Sequence, residues 1–228
     1  MLKQSYFIFK GQSSLDKNII VNKLPSFERP QADIEKVTVQ GRDGFLTNNL
    51  GTYQSIIKSC ECSLDDGDID DICDWLTGTG EVIFSNEPDK KYKATIINKI
   101  PFSKIIPTFH TFIVQFECQP HKYAVSNNKI TLTTSGTKIY NKGTTSRPVI
   151  KIYGTGNIDL TINSNVIHLT NVIDYVTIDS ELMDCYKDTV LKNNNMNGDF
   201  PVLKNGANTI SWTGTVSKIE VTPNWRYL

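Results

Sequence analysis

Apolar and polar residues alternate in short runs along most of the chain, and turn-forming residues separate the runs. A period of two with many β-branched and aromatic residues predicts β-strands. The clearest run covers residues 109–118, where Phe112, Val114, Phe116 and Cys118 share one face. We expect a half-buried antiparallel strand there. The same pattern predicts strands in the first half at residues 6–9, 34–39, 53–64, 82–85 and 92–98.

One segment changes from the period of a strand to that of a helix. Ile69, Ile72, Cys73 and Leu76 are spaced three and four residues apart, which predicts the apolar stripe of a short helix. Gly78 follows as a stop signal. Acidic residues precede the stripe, where carboxylates favour the positive end of the helix dipole.

Those acidic residues also permit a calcium interpretation. Asp66, Asp68 and Asp70 stand at alternate positions, as ligands do in an EF-hand loop. Asp71 and Thr77, however, occupy the positions that such a loop fills with glycine and glutamate. We therefore interpret the acidic residues as helix caps, and we predict no metal site.

The second half shows short strand patterns and no helical stripe. Strands are predicted at residues 129–133, 149–153, 159–162, 166–169, 175–178 and 218–221, with Gly, Asn and Ser turns between them. Regular short strands of this kind are typical of a β-sandwich or jelly roll. A polar stretch after Tyr123 marks the change of character. We predict two domains, residues 1–125 and 126–228.

Charge and hydropathy exclude several classes of protein. The chain has 24 Lys and Arg against 24 Asp and Glu, so it has no broad basic field for nucleic acid or anionic lipid. The run Tyr6–Phe9 is too short for the core of a signal peptide, and no apolar run approaches the length of a membrane span. We expect a protein that is soluble where it is made, with no membrane partner.

The cysteines and histidines do not form a recognisable catalytic or metal motif. Cys60 and Cys62 alternate with polar neighbours, as small apolar side chains do on the core face of a strand. His110, His121 and His168 are the candidate bases, and we interpret each as structural. Residues 41–44, Gly-Arg-Asp-Gly, lack the lysine and spacing of a phosphate loop and predict a hairpin turn.

Two glycan-related alternatives remain open at this point. Asp179 and Glu181 can share a strand face at a separation of about 6–7 Å, near that of glycosidase carboxylates, although a turn after the strand explains them better. Trp212, Trp225 and Tyr227 can stack on sugar rings, or they can complete the core of the second domain. We predict the turn and the core.

The order of the motifs resembles the distal tail protein (Dit) family of long-tailed bacteriophages. A short helix ending in Trp75-Leu76 precedes the strands at residues 82–85 and 89–94. The similarity continues through Phe116-Glu-Cys118, residues 141–154 and residues 179–208, and it spans nearly the whole chain. Each motif alone is a turn followed by a strand, so their order and spacing carry the resemblance.

The resemblance implies a mainly β protein whose N-terminal domain is a β-sandwich like that of tail-tube proteins, with one short helix. It implies a C-terminal galectin-like, jelly-roll β-sandwich. In this family a six-membered ring joins the tail tube to the tail-tip hub of the baseplate, and its outer domain can support receptor-binding components for host attachment.

We therefore predict a structural virion protein at the tail tip, assembled in the host cytoplasm, and not an enzyme. The predicted partners are five further copies of the chain, the tail tube protein and the hub protein, and DNA passes through the ring without specific binding. We predict no cofactor, and we assign no ligand-binding residues. A stand-alone glycan-binding module and a glycan hydrolase remain the alternatives.

Overall fold

The structure is a computed structural model that describes residues 4–65, 67–106 and 109–228. It is mainly β, as the alternation predicts. The chain divides into two compact units, one of residues up to Val125 together with Leu228, and one of Ser126–Tyr227. Within the described residues, no helix combines the length and the apolar composition that crossing a bilayer requires.

The first unit contains ten strands and one α-helix in its described residues. They are β1 (Phe7–Phe9), β2 (Gln12–Ser13), β3 (Ile19–Lys23), β4 (Ala32–Val37), β5 (Leu46–Tyr53), β6 (Ile56–Asp65), α1 (Ile69–Trp75), β7 (Thr79–Phe84), β8 (Lys90–Ile96), β9 (Ser103–Ile106) and β10 (Phe109–Ala124), with a 3-10 turn at Ser14–Lys17.

The main sheet of this unit is antiparallel and has the order β2-β1-β7-β8-β10-β6-β3, with β9 also paired to β10. Strand β10 connects its two sides. Phe109–Cys118 pairs with β6, and Phe116–Ala124 pairs with β8, with a register shift between Cys118 and Lys122. The predicted alternation of β10 is confirmed, because Phe112, Val114, Phe116 and Cys118 are all buried.

Aromatic side chains show that this sheet curls over a single core. The ring centroid of Phe116 on β10 lies 5.3 Å from that of Phe7 on β1, although three strand-to-strand steps separate the two strands in the sheet. Phe9 and Phe84 also contact Phe116, at 5.5 and 5.7 Å. Trp75 of α1 stacks on Phe7 at 5.6 Å, and its Nε1 donates to the Phe9 carbonyl.

The predicted helix and its cap are confirmed, with one correction. The Asp68 carboxylate accepts hydrogen bonds from the backbone N–H groups of Asp70 and Asp71, which caps α1. Ile72 is buried, but Cys73 is exposed, contrary to the predicted stripe. Trp75 covers the core instead, because its indole is larger and has a hydrogen-bond acceptor there. Asp66 lies outside the described residues.

The prediction of one continuous strand at residues 53–64 is wrong. β5 ends at Tyr53 and pairs with β4, whereas β6 starts at Ile56 and belongs to the main sheet. The chain therefore changes sheets at residues 54–55. Most of β5 escaped prediction because its polar Thr47, Asn48 and Asn49 do not alternate with apolar residues.

The second unit has strands throughout its length. They are β11 (Ile130–Leu132), β12 (Thr137–Asn141), β13 (Val149–Ile162), β14 (Asn165–Val172), β15 (Tyr175–Asp179), β16 (Asp184–Lys187), β17 (Val190–Leu191), β18 (Met196–Asn197), β19 (Gly206–Thr222) and β20 (Arg226–Tyr227), with a 3-10 turn at Asn193–Asn195.

Two long strands, β13 and β19, pair along most of their length and organise this unit. The first part of β13 also pairs with β15, and its second part pairs with β14. The predicted strands at 149–153 and 159–162 are thus the two parts of β13, separated by register shifts. A Cβ on Gly154 would lie 2.3 Å from the Thr215 carbonyl oxygen, so the close approach of the two strands requires glycine there.

We expect Phe116→Ala to destabilise the first unit by about 3–5 kcal/mol, because it removes the ring that the other core phenylalanines contact. Phe27→Ala, in which an exposed phenylalanine outside the arm is truncated, is the matched control and should change stability by about 0.5 kcal/mol or less. Urea unfolding of the full chain, followed by far-UV circular dichroism, measures both changes. Equal losses would contradict the assigned core.

Candidate assembly site

The hairpin of β4 and β5 projects without a core of its own. We call residues 32–53 the arm. β4 pairs only with β5 among the described strands, and nearly every side chain of the pair is exposed. The predicted turn at residues 41–44 joins the strands, and Gly41 and Gly44 both adopt a positive φ there. An isolated two-stranded hairpin is marginally stable in water.

Apolar residues are concentrated on the arm, and the described part of the chain leaves them exposed. Single exposed apolar side chains are ordinary, but a contiguous group usually marks an interface. On the arm, six such side chains are between 42% and 57% exposed: Ile34, Val37, Val39, Phe45, Leu46 and Leu50.

Both faces of the arm carry these apolar residues. Ile34 lies opposite Asn49 on one face, and Val37 lies opposite Leu46 on the other. Polar side chains form hydrogen bonds between the two strands. Asn48 Nδ2 donates to Glu35 Oε2 at 3.2 Å. The arm is therefore ordered by its own cross-strand pairs, while its apolar surface remains available to another molecule.

The base of the arm is attached to the first unit by the segment that precedes it. Pro25 and Pro30 are buried, and two carbonyl oxygens of this segment accept hydrogen bonds from side chains of β6 and of the turn after β7. Lys58 Nζ donates to the Ser26 carbonyl at 2.8 Å, and Asn86 Nδ2 donates to the Pro25 carbonyl at 3.0 Å. These contacts fix where the arm leaves the sheet.

Lys58 is an unusual residue for this purpose, because its side chain occupies a core-facing position of β6 and is only 3% exposed. Burial lowers the pKa of its ammonium group, and the nearby Glu28 and Glu87 partly oppose that effect. Its Nζ also lies 5.4 Å from the centroid of the Tyr92 ring. A buried ammonium is costly unless it is bonded, so the carbonyl of Ser26 is a required partner.

The outer face of β3, β6 and β10 offers a second apolar surface. Ile20, Ile57 and Ile113 are exposed there, one from each strand. An open groove of about 590 Å³ runs beside Ile113, and Asn22, Glu61, Asn98 and Gln115 contribute polar groups to it. The groove thus combines exposed apolar surface with hydrogen-bonding groups, as an interface does.

The candidate hydrolase carboxylates form a turn. Asp179 Oδ1 accepts hydrogen bonds from the backbone N–H groups of Glu181 and Leu182, at 2.9 and 3.0 Å. Glu181 is exposed, and Asp179 is 9% exposed at the end of β15. The predicted turn is therefore what the structure contains.

The candidate sugar-stacking tryptophans pack against the second core, which is the interpretation that we preferred. Trp212 and Trp225 are partly buried against it, and Tyr227 lies in β20. Cys60 and Cys62 are buried on β6 as predicted, and burial raises the pKa of Cys62 to about 12, so its thiol stays protonated. No described residues form a group of three or more metal-ligating side chains.

The three histidines have separate environments. His168 Nδ1 lies 2.7 Å from Asp159 Oδ1 on an exposed hairpin. The ring of His121 makes an edge contact with Tyr53 at the base of the arm, with centroids 6.1 Å apart. His110 has a buried Nδ1 that lacks a hydrogen-bond partner among the described residues.

A cluster of charged side chains on the second unit lowers the pKa of the Glu220 carboxyl group. Glu220 on β19 accepts from Lys218 at 2.7 Å and from Lys129 at 3.0 Å. These two hydrogen bonds lower its pKa to about 2 from an ordinary 4.5. The Tyr153 hydroxyl also donates to Glu220, at 3.3 Å.

We expect Lys58→Met to loosen the base of the arm, because the Ser26 carbonyl then loses its donor while the apolar stem is retained. A protease specific for glutamate should cleave after the exposed Glu28 several-fold faster than in the wild type. Lys93→Met, which removes an exposed lysine over the Tyr123 ring, is the control. Equal cleavage rates in all three proteins would refute this role of Lys58.

The Glu220 cluster predicts a loss of stability in acid. A carboxyl whose pKa is lower in the folded state stabilises the fold above its unfolded pKa, and it loses that contribution as the pH falls from about 4.5 to about 2. Glu220→Gln should flatten the fall in melting temperature over this range, whereas Glu181→Gln should not. Tryptophan fluorescence melts at several pH values measure this, and parallel curves would contradict it.

Comparisons with known proteins give matches only at the level of three-dimensional structure. No protein-family model matches the sequence, and no curated protein matches it. The crystal structure of the SPP1 Dit protein (gp 19.1), described as a paradigm of the hub adsorption apparatus in phages that infect Gram-positive bacteria, superposes with a TM-score of 0.77. The match covers 99% of this chain and 100% of that one, at 17% identity.

A chain of the phage P2 baseplate, in its activated conformation with calcium, has a similar overall fold with a lower structural similarity. Its TM-score is 0.53 at 8% identity, over 100% of this chain and 99% of that one. Both similarities extend from end to end, so they include the elements on which the sequence resemblance rests. The resemblance to the Dit family is therefore confirmed in the fold, and the chain has the fold of a phage Dit protein.

Proposed function

We propose that the chain is a structural protein of a phage tail tip, in which six copies form a ring that joins the tail tube to the hub of the baseplate. The single observation that carries the proposal is the arm. Its apolar surface is exposed on both faces, in a chain whose fold matches that of a Dit protein over 99% of its length. An arm without a core needs a neighbouring molecule to cover it.

A second copy of the chain is the neighbour that we propose. The arm and the outer face of β3, β6 and β10 are different surfaces of one protomer, so contact between them is heterologous, and heterologous contacts close into rings when the rotation permits. Exposed Leu50 and Phe45 on the arm and exposed Ile113 on the receiving face supply apolar area on both sides. The open backbone of β4 and β5 adds hydrogen-bonding capacity.

In this proposal the two units have different tasks. Residues 1–125 build the ring, as tail-tube-like domains do, and residues 126–228 form a galectin-like sandwich on its outside that can support receptor-binding components. The equal numbers of acidic and basic residues agree with a bore through which DNA passes without binding. The protein would thus be a virion component without enzymatic activity.

The first test is the mass and shape of the purified chain. We expect particles of six copies of 25.7 kDa, about 154 kDa, with a central hole in negative-stain electron microscopy and the same mass by light scattering. Leu50→Glu should shift the mass toward that of the monomer at equal concentration, because it places a charge in the covered surface. Ile113→Glu should also shift the mass toward that of the monomer, because it places a charge in the receiving face of β3, β6 and β10.

Leu182→Glu is the matched control, because Leu182 is an exposed leucine at a turn of the second unit. It should leave the mass unchanged, and all three variants should melt within a few degrees of the wild type. A wild-type chain that stays monomeric at high micromolar concentration would contradict a self-assembling ring. Rings that persist in both Leu50→Glu and Ile113→Glu would contradict the proposed contact.

A further inference from the structure

Lysine and tyrosine side chains alternate across four neighbouring strands on the second unit. In order across β19, β13, β15 and β16 they are Lys218, Tyr153, Lys151, Tyr175 and Lys187, and we call them the ladder. Cross-strand register places Tyr153 opposite both Lys218 and Tyr175. Lys151 Nζ lies 3.7 Å from the centroid of the Tyr175 ring and 5.1 Å from that of Tyr153. The ladder is therefore a continuous set of cation–π contacts.

The lysines of the ladder differ in their ionic partners. Lys218 binds Glu220 at 2.7 Å, and Lys187 binds Asp174 at 3.0 Å. Lys151 has no carboxylate within ion-pair distance among the described residues, although Glu220 lies opposite it in the register. Glu220 is already engaged by two other lysines. The ammonium group at the centre of the ladder thus has no carboxylate partner among the described residues.

The same geometry disfavours a sugar as the ligand. Carbohydrate rings stack on the open faces of aromatic side chains. Here the ammonium groups of Lys151 and Lys187 lie over the Tyr175 ring. Those of Lys151 and Lys218 lie over the Tyr153 ring. The tyrosines orient the lysines instead of offering a platform. The ladder therefore suits an anionic group.

A small pocket adjoins the ladder, and aliphatic side chains form part of its lining. It measures about 220 Å³, and Leu169, Val172 and Val176 contribute to it, with Tyr175 and Lys187 shared between pocket and ladder. Ile173 at its rim is 67% exposed. Such a volume accommodates one apolar side chain, and a buried apolar anchor beside charge complementarity is typical of protein interfaces.

We propose that the ladder and this pocket together form a docking site for an acidic protein segment, in which one apolar side chain enters the pocket and a neighbouring carboxylate binds Lys151. The proposal rests on the proposed function only in that the segment belongs to another tail protein. It does not depend on ring formation. A monomer in light scattering would contradict the ring but not the docking site, and a lack of peptide binding would contradict the docking site but not the ring.

The test uses synthetic fluorescein-labelled peptides of about twelve residues, each with one Leu, Phe, Met or Val among Asp and Glu, and the full-length chain. We expect at least one peptide to bind in fluorescence anisotropy, with an affinity that falls as salt rises. Lys151→Met should weaken that binding at least about fivefold, and Lys151→Arg should retain it. Ile173→Glu should weaken it about tenfold or more, because it sets a carboxylate against the acidic segment.

Two variants on the same unit serve as matched controls. Lys138→Met removes an exposed lysine on β12, and Val166→Glu places a carboxylate on an exposed apolar position of β14. Both should leave the affinity within about twofold of the wild type. An unlabelled polyphosphate competitor distinguishes a phosphate polymer from the peptide.

Three outcomes would overturn the proposal. The first is that none of the acidic peptides binds up to millimolar concentration. The second is that Lys138→Met weakens binding as much as Lys151→Met, which would show a diffuse charge effect. The third is that polyphosphate binds in a Lys151-dependent manner while the peptides do not, which would assign the ladder to a phosphate polymer.

Discussion

The closure of the first sheet over Phe116 is the contact on which the rest of the first unit depends. When an antiparallel sheet curls over one core, a side chain near the centre of the core has to contact strands that are not neighbours in the sheet. The ring of Phe116 makes such contacts with Phe7, Phe9 and Phe84. Once the inner face is filled, the outer face and the arm are left to solvent. The exposed apolar residues on both are therefore a consequence of how the core closes, and they are available for assembly.

The alternation of β10 could be predicted because this strand buries one face against the core, so periodicity and burial agree. The predicted stripe of α1 is right at Ile72 but wrong at Cys73, which is exposed, while Trp75 covers the core. The arm could be predicted only in part. Its turn at Gly41 and Gly44 has a clear signal, but β5 contains Asn48, Asn49 and Gly51 and faces no core, so its strand conformation has no hydrophobic period. The true start of β6 at Ile56 was missed for the same reason, since only pairing partners distinguish β5 from β6.

The residues of the candidate sites also divide into those set by local pattern and those set by tertiary contacts. The turn at Asp179 and the core packing of Trp212 could be predicted because both are local or follow strand alternation. The contact of Lys58 with the Ser26 carbonyl could not, because residues 32 positions apart meet only through tertiary folding. The ladder was equally hidden, since Lys151, Tyr175 and Lys218 come from three strands whose register the sequence does not state.

Lys58 and Lys151 show that the surroundings of a lysine determine whether it stabilises the fold or is available to bind a partner. Both lie near tyrosine rings, at 5.4 Å from Tyr92 and 3.7 Å from Tyr175. Lys58 is desolvated, and its donor is satisfied by a main-chain carbonyl, so its charge stabilises the base of the arm and is inaccessible to partners. Lys151 remains partly exposed and lacks a carboxylate, so an incoming anion can gain a charge-assisted hydrogen bond without displacing an internal partner. Recognition is therefore expected at Lys151, and structural support at Lys58.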